Sequence, residues 1–183
     1  MKQKQFYFII TFVALVADQV TKALATAWLE PHGSITVIDG FFRLSYALNR
    51  GVAFSLFADS QFQVQWVLAG ISTIAAVAVM LYLGRTVASN KRLNTALALL
   101  LAGIIGNLLD RVRLGEVVDF LDFHWGERLT WPTFNIADAV ICIGAALLAL
   151  ELMREEKAEH LQAQIQPQTS SPTPEETSIG SSE

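Results

Sequence analysis

The stretch FNIADAVICIGAALLAL, residues 134–150, is apolar along most of its length, yet an ionisable residue, Asp138, lies close to its beginning. With its flanks, this run reaches the roughly 20 apolar residues that a membrane-spanning helix requires. A carboxylate at membrane depth costs free energy, so such a residue usually marks a functional site. The alternative is that Asp138 caps the helix from the aqueous side.

The composition of the whole chain favours a membrane protein. Of its 183 residues, 52% are hydrophobic and 16% are charged, and the mean hydropathy is +0.41, which is too apolar for an ordinary soluble domain. The apolar run near the start lacks a small-x-small cleavage site, so we interpret it as a retained span and not as a signal peptide. The sequence thus predicts an α-helical membrane protein with four transmembrane helices, at about residues 5–28, 64–83, 93–109 and 136–153.

The segments between and after the spans carry other signals. In the outer segment 31–60, two β-favouring runs flank Asp39-Gly40, which predicts a hairpin and a small extracytoplasmic β-sheet. The outer segment 113–135 is rich in Phe and Trp and is expected to lie in the headgroup region. Residues 158–183 are polar and rich in Ser and Pro, so we expect a disordered cytoplasmic tail after a membrane domain at 1–157.

The basic residues predict the orientation. By the positive-inside rule, both termini and the loop at 85–92 are cytoplasmic, and the segments after the first and third spans are outside. Lys22 lies within a span. The inner residues are Lys2, Lys4, Arg85, Lys91, Arg92, Arg154 and Lys157, and the outer ones are Arg43, Arg50, Arg111, Arg113 and Arg128.

Three spans carry a carboxylate toward the same outer leaflet, at Asp18, Asp110 and Asp138. If each of these residues only capped its own helix, the three would not need to lie toward the same leaflet. A shared polar site is therefore favoured. Asp18 and Lys22 are spaced i, i+4 and can pair within the membrane. Asn107 shares a helix face with Asp110. The Asp18–Lys22 pair and the Asn107–Asp110 pair could each serve only to pack helices together.

Asp119 and Asp138 differ from these residues because neither has a basic partner close in sequence. Two carboxylates close together in a low-dielectric site cannot both ionise. One then keeps a proton while the other acts as a base toward water, which is how aspartic proteases work. Sequence spacing alone does not show that the two residues meet.

No metal site or cofactor is expected. Cys142 is the only cysteine, which excludes an internal disulfide and a cysteine metal cluster. The histidines at 32, 124 and 160 are scattered and lack the spacing of metal ligands.

Five motifs in order resemble those of the bacterial lipoprotein signal peptidases, the signal peptidase II family of aspartic peptidases. The resemblance covers about residues 5–155, and one such motif alone would be weak. The motifs are DQVTK at 18–22, NRGVAFS at 49–55, GNLLDR at 106–111, VVDF at 117–120 and FNIAD at 134–138.

The resemblance implies an aspartic endopeptidase of the bacterial inner membrane. Its substrates would be diacylglyceryl-modified prolipoproteins, cleaved just before the lipid-bearing Cys at the outer leaflet. Membrane lipids would be partners, cyclic peptides of the globomycin type would be inhibitors, and no nucleic acid would bind. Asp119 and Asp138 would be the catalytic pair. Residues that bind substrate or support the pair would be Asn49, Gly51, Asn107, Arg111, Asn135, Asp18, Lys22 and Asp110.

Three other classes of protein are alternatives to this interpretation. A small transporter or proton relay could use Asp18, Lys22, Asp110 and Asp138, but it would need no water-exposed Asp119. A Ser-Lys membrane peptidase could use Lys22 as its base, yet no Ser-x-x-Lys or Gly-x-Ser-Gly motif accompanies it. A purely structural membrane subunit also remains open from one sequence.

Overall fold

The computed structural model describes residues 2–51, 61–126 and 129–165. Within them, four helices are long and apolar enough to cross a membrane, which confirms the predicted spans. Each helix continues past its apolar window because polar residues extend the helix at its ends. The helices are α1 at Lys2–His32, α2 at Gln61–Arg85, α3 at Lys91–Leu114 and α4 at Ile136–Ile165.

Helix α3 is the centre of the bundle and packs against the other three helices. It is the most buried of the four, with 61% of its most apolar stretch inside the protein against 22% or less elsewhere. Leu97 and Leu101 on α3 pack with Tyr7 of α1 and Leu83 of α2 in the main hydrophobic cluster. The outer faces of the other helices are apolar and exposed, as lipid-facing surfaces must be.

A four-stranded antiparallel sheet lies at one end of the bundle, in the order β1-β2-β3-β4. The predicted hairpin is confirmed, because Gly40 takes a φ of 68° in the turn between β1 and β2. Phe120 in the sheet packs against Ala25 and Leu29, which anchors the sheet on the end of α1. The strands are β1 at Ile35–Ile38, β2 at Phe42–Asn49, β3 at Val117–Trp125 and β4 at Leu129–Thr130.

The second outer segment contributes two strands to this sheet, at residues 117–125 and 129–130, and its place among the headgroups stays a prediction. Strand β3 pairs with β2, where Asp119 lies opposite Ala47 and Leu121 opposite Leu44. The backbone N–H groups of Phe120 and Leu121 donate to the carbonyl of Phe134, at 3.1 and 2.8 Å. These bonds bring the start of α4 directly beside Asp119.

The predicted start of the disordered tail at residue 158 is wrong, because α4 continues to Ile165. The segment after Met153 is rich in Glu, Lys, Ala, Leu and Gln, which are good helix formers. The Ser- and Pro-rich part that suggested disorder begins only later. Residues 166–183 lie outside the described residues, as do residues 52–60 with most of the NRGVAFS motif.

Candidate active site

Lys22 is the centre of a buried ion cluster between α1 and α3. Its Nζ atom lies 3.0 Å from Asp18 Oδ2 and 2.9 Å from Asp110 Oδ2. It also donates to Asn107 Oδ1 at 2.9 Å, so all three donors of the ammonium group have acceptors. The predicted i, i+4 pair is confirmed. Lys22 is placed as an ion-pair partner and not as the free base that a Ser-Lys peptidase needs.

The two acids of this cluster also fix the neighbouring elements. Asp18 Oδ1 accepts a hydrogen bond from the backbone N–H of Ala137 at 2.8 Å, in the first turn of α4. Asp110 Oδ2 accepts one from the N–H of Val118 at 3.2 Å, at the start of β3. The cluster therefore holds in place both segments that carry the remaining candidate carboxylates.

Asp138 is both a helix cap and a member of the polar site, so the two interpretations of the opening stretch are compatible. Its backbone N–H donates to Asn135 Oδ1 at 2.9 Å, and its Oδ2 accepts from the N–H of Asn135 at 3.3 Å. This reciprocal pair is a capping box at the start of α4. The other oxygen, Oδ1, accepts from Asn107 Nδ2 at 2.7 Å.

Asp119 is almost fully buried, with 2% of its surface exposed, and two amides hold it. Asn135 Nδ2 donates to its Oδ1 at 2.6 Å, and Asn49 Nδ2 donates to its Oδ2 at 2.9 Å. Desolvation by burial raises the pKa of Asp119 from 3.8 to about 6. The hydrogen bond from Asn49 opposes this rise, while the nearby charge of Asp138 adds to it. Asp119 and Asp138 thus meet around one residue, Asn135.

Gly51 and Arg111 flank this centre. Gly51 has a φ of 70°, its N–H donates to Asn49 Oδ1 at 2.8 Å, and a Cβ there would lie 2.5 Å from Leu68. It therefore shapes the turn that presents Asn49 and contacts α2. Arg111 donates to the carbonyl of Asn107 at 3.3 Å and interacts electrostatically with Asp138. It also lines a cleft of about 410 Å³ with Gln65 and Trp66.

The sequence interpretation missed Gln19, which lies inside the DQVTK motif between the two residues it assigned. Gln19 Nε2 is 3.1 Å from both Asp18 Oδ2 and Asp110 Oδ1, and 3.2 Å from the carbonyl of Gly106. A neutral amide between two charged residues gives little signal in a single sequence. Its position next to Asp18 in the motif was the available indication.

The glycines of α3 allow the neighbouring elements to approach this helix closely. A Cβ at Gly103 would lie 2.4 Å from the carbonyl oxygen of Ala137, so α4 crosses directly over this position. A Cβ at Gly106 would lie 2.6 Å from Asp18 Oδ2. The absence of side chains at these positions lets α3 contact α4 and the Asp18 carboxylate at once.

Two carboxylates, one with a raised pKa, lie among amide donors and an arginine at one end of the membrane helices. Such a pair can supply both a base and an acid near pH 6, as hydrolysis of an amide requires. The fold and the site together are typical of integral-membrane hydrolases that cleave at the membrane surface.

Comparisons with known proteins agree with this class. A family model described as signal peptidase (SPase) II matches residues 10–154. A lipoprotein signal peptidase of Geobacter sulfurreducens is 44% identical over 145 residues, covering 79% of this chain and 89% of the relative. One of Pseudomonas aeruginosa is 42% identical over 149 residues, covering 81% and 88%. The chain belongs to the signal peptidase II family and is a multi-pass membrane protease.

Two solved structures of bacterial membrane enzymes share the fold. A bacterial membrane enzyme determined by the in meso method at 2.3 Å resolution superposes with a TM-score of 0.69 and 27% identity, covering 93% of this chain and 95% of that one. A second, at 1.9 Å resolution, has a TM-score of 0.70 and 30% identity, covering 81% and 92%. Family membership makes the chain a protease and not the transporter or structural subunit considered from its sequence.

Proposed function

We propose that this protein removes the signal peptides of diacylglyceryl-modified prolipoproteins by cleaving just before the lipid-bearing Cys. Asp119 and Asp138 are the catalytic pair in this proposal. The observation that supports it is that Asn135 forms hydrogen bonds with both residues. Its side-chain NH2 donates to Asp119, its side-chain oxygen accepts from the backbone N–H of Asp138, and its backbone N–H donates to the Asp138 carboxylate. Relatives at 44% and 42% identity are named lipoprotein signal peptidases, which supports this substrate class.

The two carboxylates have different roles in the proposed reaction. Asp119, with a pKa raised to about 6, carries the proton that the pair retains, and Asp138 is the base. Asp138 takes a proton from water as the water oxygen attacks the scissile carbonyl carbon. Asp119 donates its proton to the leaving nitrogen as the C–N bond breaks. The products are a signal peptide with a new carboxyl end and a lipoprotein with a free amino end.

The surrounding residues fit supporting roles. Asn49 and Asn107 each donate to one carboxylate of the pair, at 2.9 and 2.7 Å, and so hold its orientation. Arg111 beside the cleft can bind carbonyl oxygens of an extended substrate with its planar guanidinium. Lys22, with Asp18 and Asp110, holds the start of β3 and the first turn of α4 in fixed positions, so that Asp119 and Asp138 keep their separation.

The site also fits a substrate that stays in the membrane. It lies where α3 and α4 meet the sheet, so the acyl chains of the substrate can remain in lipid while the peptide reaches the pair. We place this end at the outer leaflet of the bacterial inner membrane, with both termini in the cytoplasm, because of the basic residues near the opposite end. Cyclic peptides of the globomycin type are expected to compete for the same site.

The decisive experiment is cleavage of a lipid-modified prolipoprotein by the purified protein in detergent. Asp119→Asn and Asp138→Asn should each abolish cleavage, because Asn cannot act as an acid or a base. Their double variant should be little worse than either single one, since residues that act as a unit are not additive. Gel filtration and thermal unfolding establish that each variant is folded.

The matched control is Asp122→Asn, the same substitution on the same strand. Asp122 points to the opposite face of β3 from Asp119, where it is 2.5 Å from Arg43 Nε and 3.2 Å from Ser45 Oγ. This variant should keep most of its activity. Substantial cleavage by a pure sample of either single pair variant would overturn the aspartic mechanism.

The orientation has its own test. In a chain with Cys142→Ala, a single new cysteine replaces either Ser89, in the loop between α2 and α3, or Thr130, in β4. A membrane-impermeant thiol reagent added to intact cells should label the cysteine at 130 and leave that at 89 unlabelled. The reverse labelling pattern would show that the protein has the opposite orientation in the membrane.

A further inference from the structure

A second pocket lies at the end of the bundle away from the sheet. Its volume is about 540 Å³. The hydrogen bond from Asn90 Nδ2 to Glu155 Oε1, at 3.3 Å, shows that α4 runs beside the start of α3 here. The pocket is lined by Arg92 on α3 and by Leu147, Leu150, Glu151, Arg154 and Lys157 on α4, and we refer to it as the basic pocket.

The charges of the basic pocket are not neutralised by the protein. Arg92, Arg154 and Lys157 are exposed, and no ion pair or hydrogen bond joins their side chains to another residue in the described parts of the chain. Glu151 is half-buried, and its Oε2 atom is buried without a hydrogen-bond partner among those residues. A buried carboxylate oxygen without a donor is costly, so a bound molecule with a hydrogen-bond donor would stabilise it.

The polarity of the basic pocket changes along the membrane normal. Leu147 and Lys157 are ten residues apart on α4, which corresponds to about 15 Å along the helix. The apolar side chains lie on the membrane side, and the basic ones lie where the helix leaves the apolar core. A free anion would use only the basic end, whereas a phospholipid matches both, with its acyl chain along the leucines and its phosphate among the bases.

We propose that the basic pocket binds an anionic phospholipid with a hydroxylated headgroup, of the phosphatidylglycerol class. The phosphate contacts Arg92, Arg154 and Lys157, and a headgroup hydroxyl donates to Glu151 Oε2. Three bases against one acid leave an excess of positive charge, which favours a headgroup with net negative charge over a zwitterionic one. The site is separate from the carboxylate pair and does not depend on the proposed peptidase activity.

The test is native mass spectrometry of the full-length protein in detergent with equal amounts of phosphatidylglycerol and phosphatidylethanolamine of identical acyl chains. One phosphatidylglycerol should be retained in preference. Arg154→Gln should weaken its retention about fivefold, the loss expected for one basic side chain at an anionic headgroup. Arg85→Gln removes another exposed arginine at this end, outside the basic pocket, and should leave retention unchanged.

Glu151→Leu distinguishes binding that uses the hydrogen bond to Glu151 from binding by charge attraction alone. If charge alone attracts the lipid, removal of an acid should strengthen the retention of phosphatidylglycerol. If the headgroup hydroxyl donates to Glu151, retention should weaken. The proposal is overturned by tighter binding in this variant, by equal retention of the two lipids, or by equal losses in Arg154→Gln and Arg85→Gln. Displacement of the lipid by inorganic phosphate alone would make the basic pocket a free-anion site.

Discussion

The side-chain amide of Asn135 lies 2.6 Å from Asp119, and Asn135 is also the residue that caps α4. The same residue therefore begins a membrane helix and lies at the centre of the candidate site. Because Asn135 also shares the capping box with Asp138, any displacement of α4 moves both carboxylates relative to each other. The buried Lys22 cluster, which bonds the N–H of Ala137 through Asp18, limits this displacement.

The first prediction concerns the hydrogen bond from Asn49 to Asp119. This bond lowers the pKa of Asp119, so Asn49→Ala should raise it above its value of about 6. If protonated Asp119 is the acid, kcat/KM falls as pH rises through this pKa. The alkaline limb of the pH profile should then move to higher pH in the variant, whatever happens to the maximal rate.

The control for this measurement is Ser45→Ala, on the same strand. Ser45 Oγ bonds Asp122 and not Asp119, so the alkaline limb should stay where it is in the wild type. An unchanged limb in Asn49→Ala would mean that Asp119 is not the group that loses its proton there.

The second prediction is that Arg111→Lys loses most of the activity while the protein stays folded. The planar guanidinium can hold two oxygens at once, whereas an ammonium group presents a single point of charge. Arg111 lines the cleft and interacts electrostatically with Asp138, and within its own helix it donates one hydrogen bond, to the carbonyl of Asn107. The measurement is kcat/KM for prolipoprotein cleavage together with the unfolding temperature. Full activity in the Lys variant would make Arg111 a contact for headgroups only.

Much of the helical framework could be predicted from the sequence, because its signals are local. The apolar windows, the Asp18-Lys22 spacing and the Asp39-Gly40 turn each depend on a few neighbouring residues, and the structure has them all. The pairing of β3 with β2 could not be predicted in this way. It joins residues about 70 positions apart, as in the bond from Asn49 to Asp119.

The site was predicted as a set of residues and not as a geometry. Motif resemblance named Asn135 and Asn107 as supporting residues, but the sequence did not show that Asn135 bonds both carboxylates. Gln19 was missed because its role depends on α3 contacting α1 at Gly106. Such contacts depend on how the helices cross, which local patterns do not specify.

The third prediction concerns this crossing. Gly106→Ala would place a Cβ 2.6 Å from Asp18 Oδ2 and 3.2 Å from the Cβ of Ala137. Overpacking of this kind costs about 1–3 kcal/mol. It should also disturb the bond between Asp18 and the first turn of α4, so both stability and cleavage should fall. The matched control is Gly70→Ala on α2, where nothing lies within 4 Å of the added methyl group. Equal unfolding temperatures for the two variants would contradict the close approach of α1, α3 and α4.

The last prediction concerns how the ionisation of Asp119 changes the free energy of unfolding. The pKa of Asp119 is raised from 3.8, the ordinary value of an aspartate, to about 6 in the fold, so the fold disfavours its ionised form. The corresponding stability is fully present below about pH 4 and is lost as pH rises through about 6. Asp119→Asn does not titrate. The free energy of unfolding of the variant relative to the wild type should therefore rise between pH 4 and pH 7, by at most about 3 kcal/mol for a shift of this size.

The readout is this pH dependence and not the absolute difference in stability. Asn at position 119 can accept from only one of Asn135 and Asn49, and the resulting rearrangement adds an offset that is the same at every pH. Unfolding temperatures of wild type, Asp119→Asn and Asp122→Asn in one detergent, measured from pH 4 to pH 8, provide the comparison. Asp122→Asn keeps the Asp119 carboxyl group, so that variant should retain the wild-type loss of stability that comes from the titration of Asp119. A flat difference for Asp119→Asn would mean that burial does not perturb this carboxyl group, and the assignment of Asp119 as the acid would be lost with it.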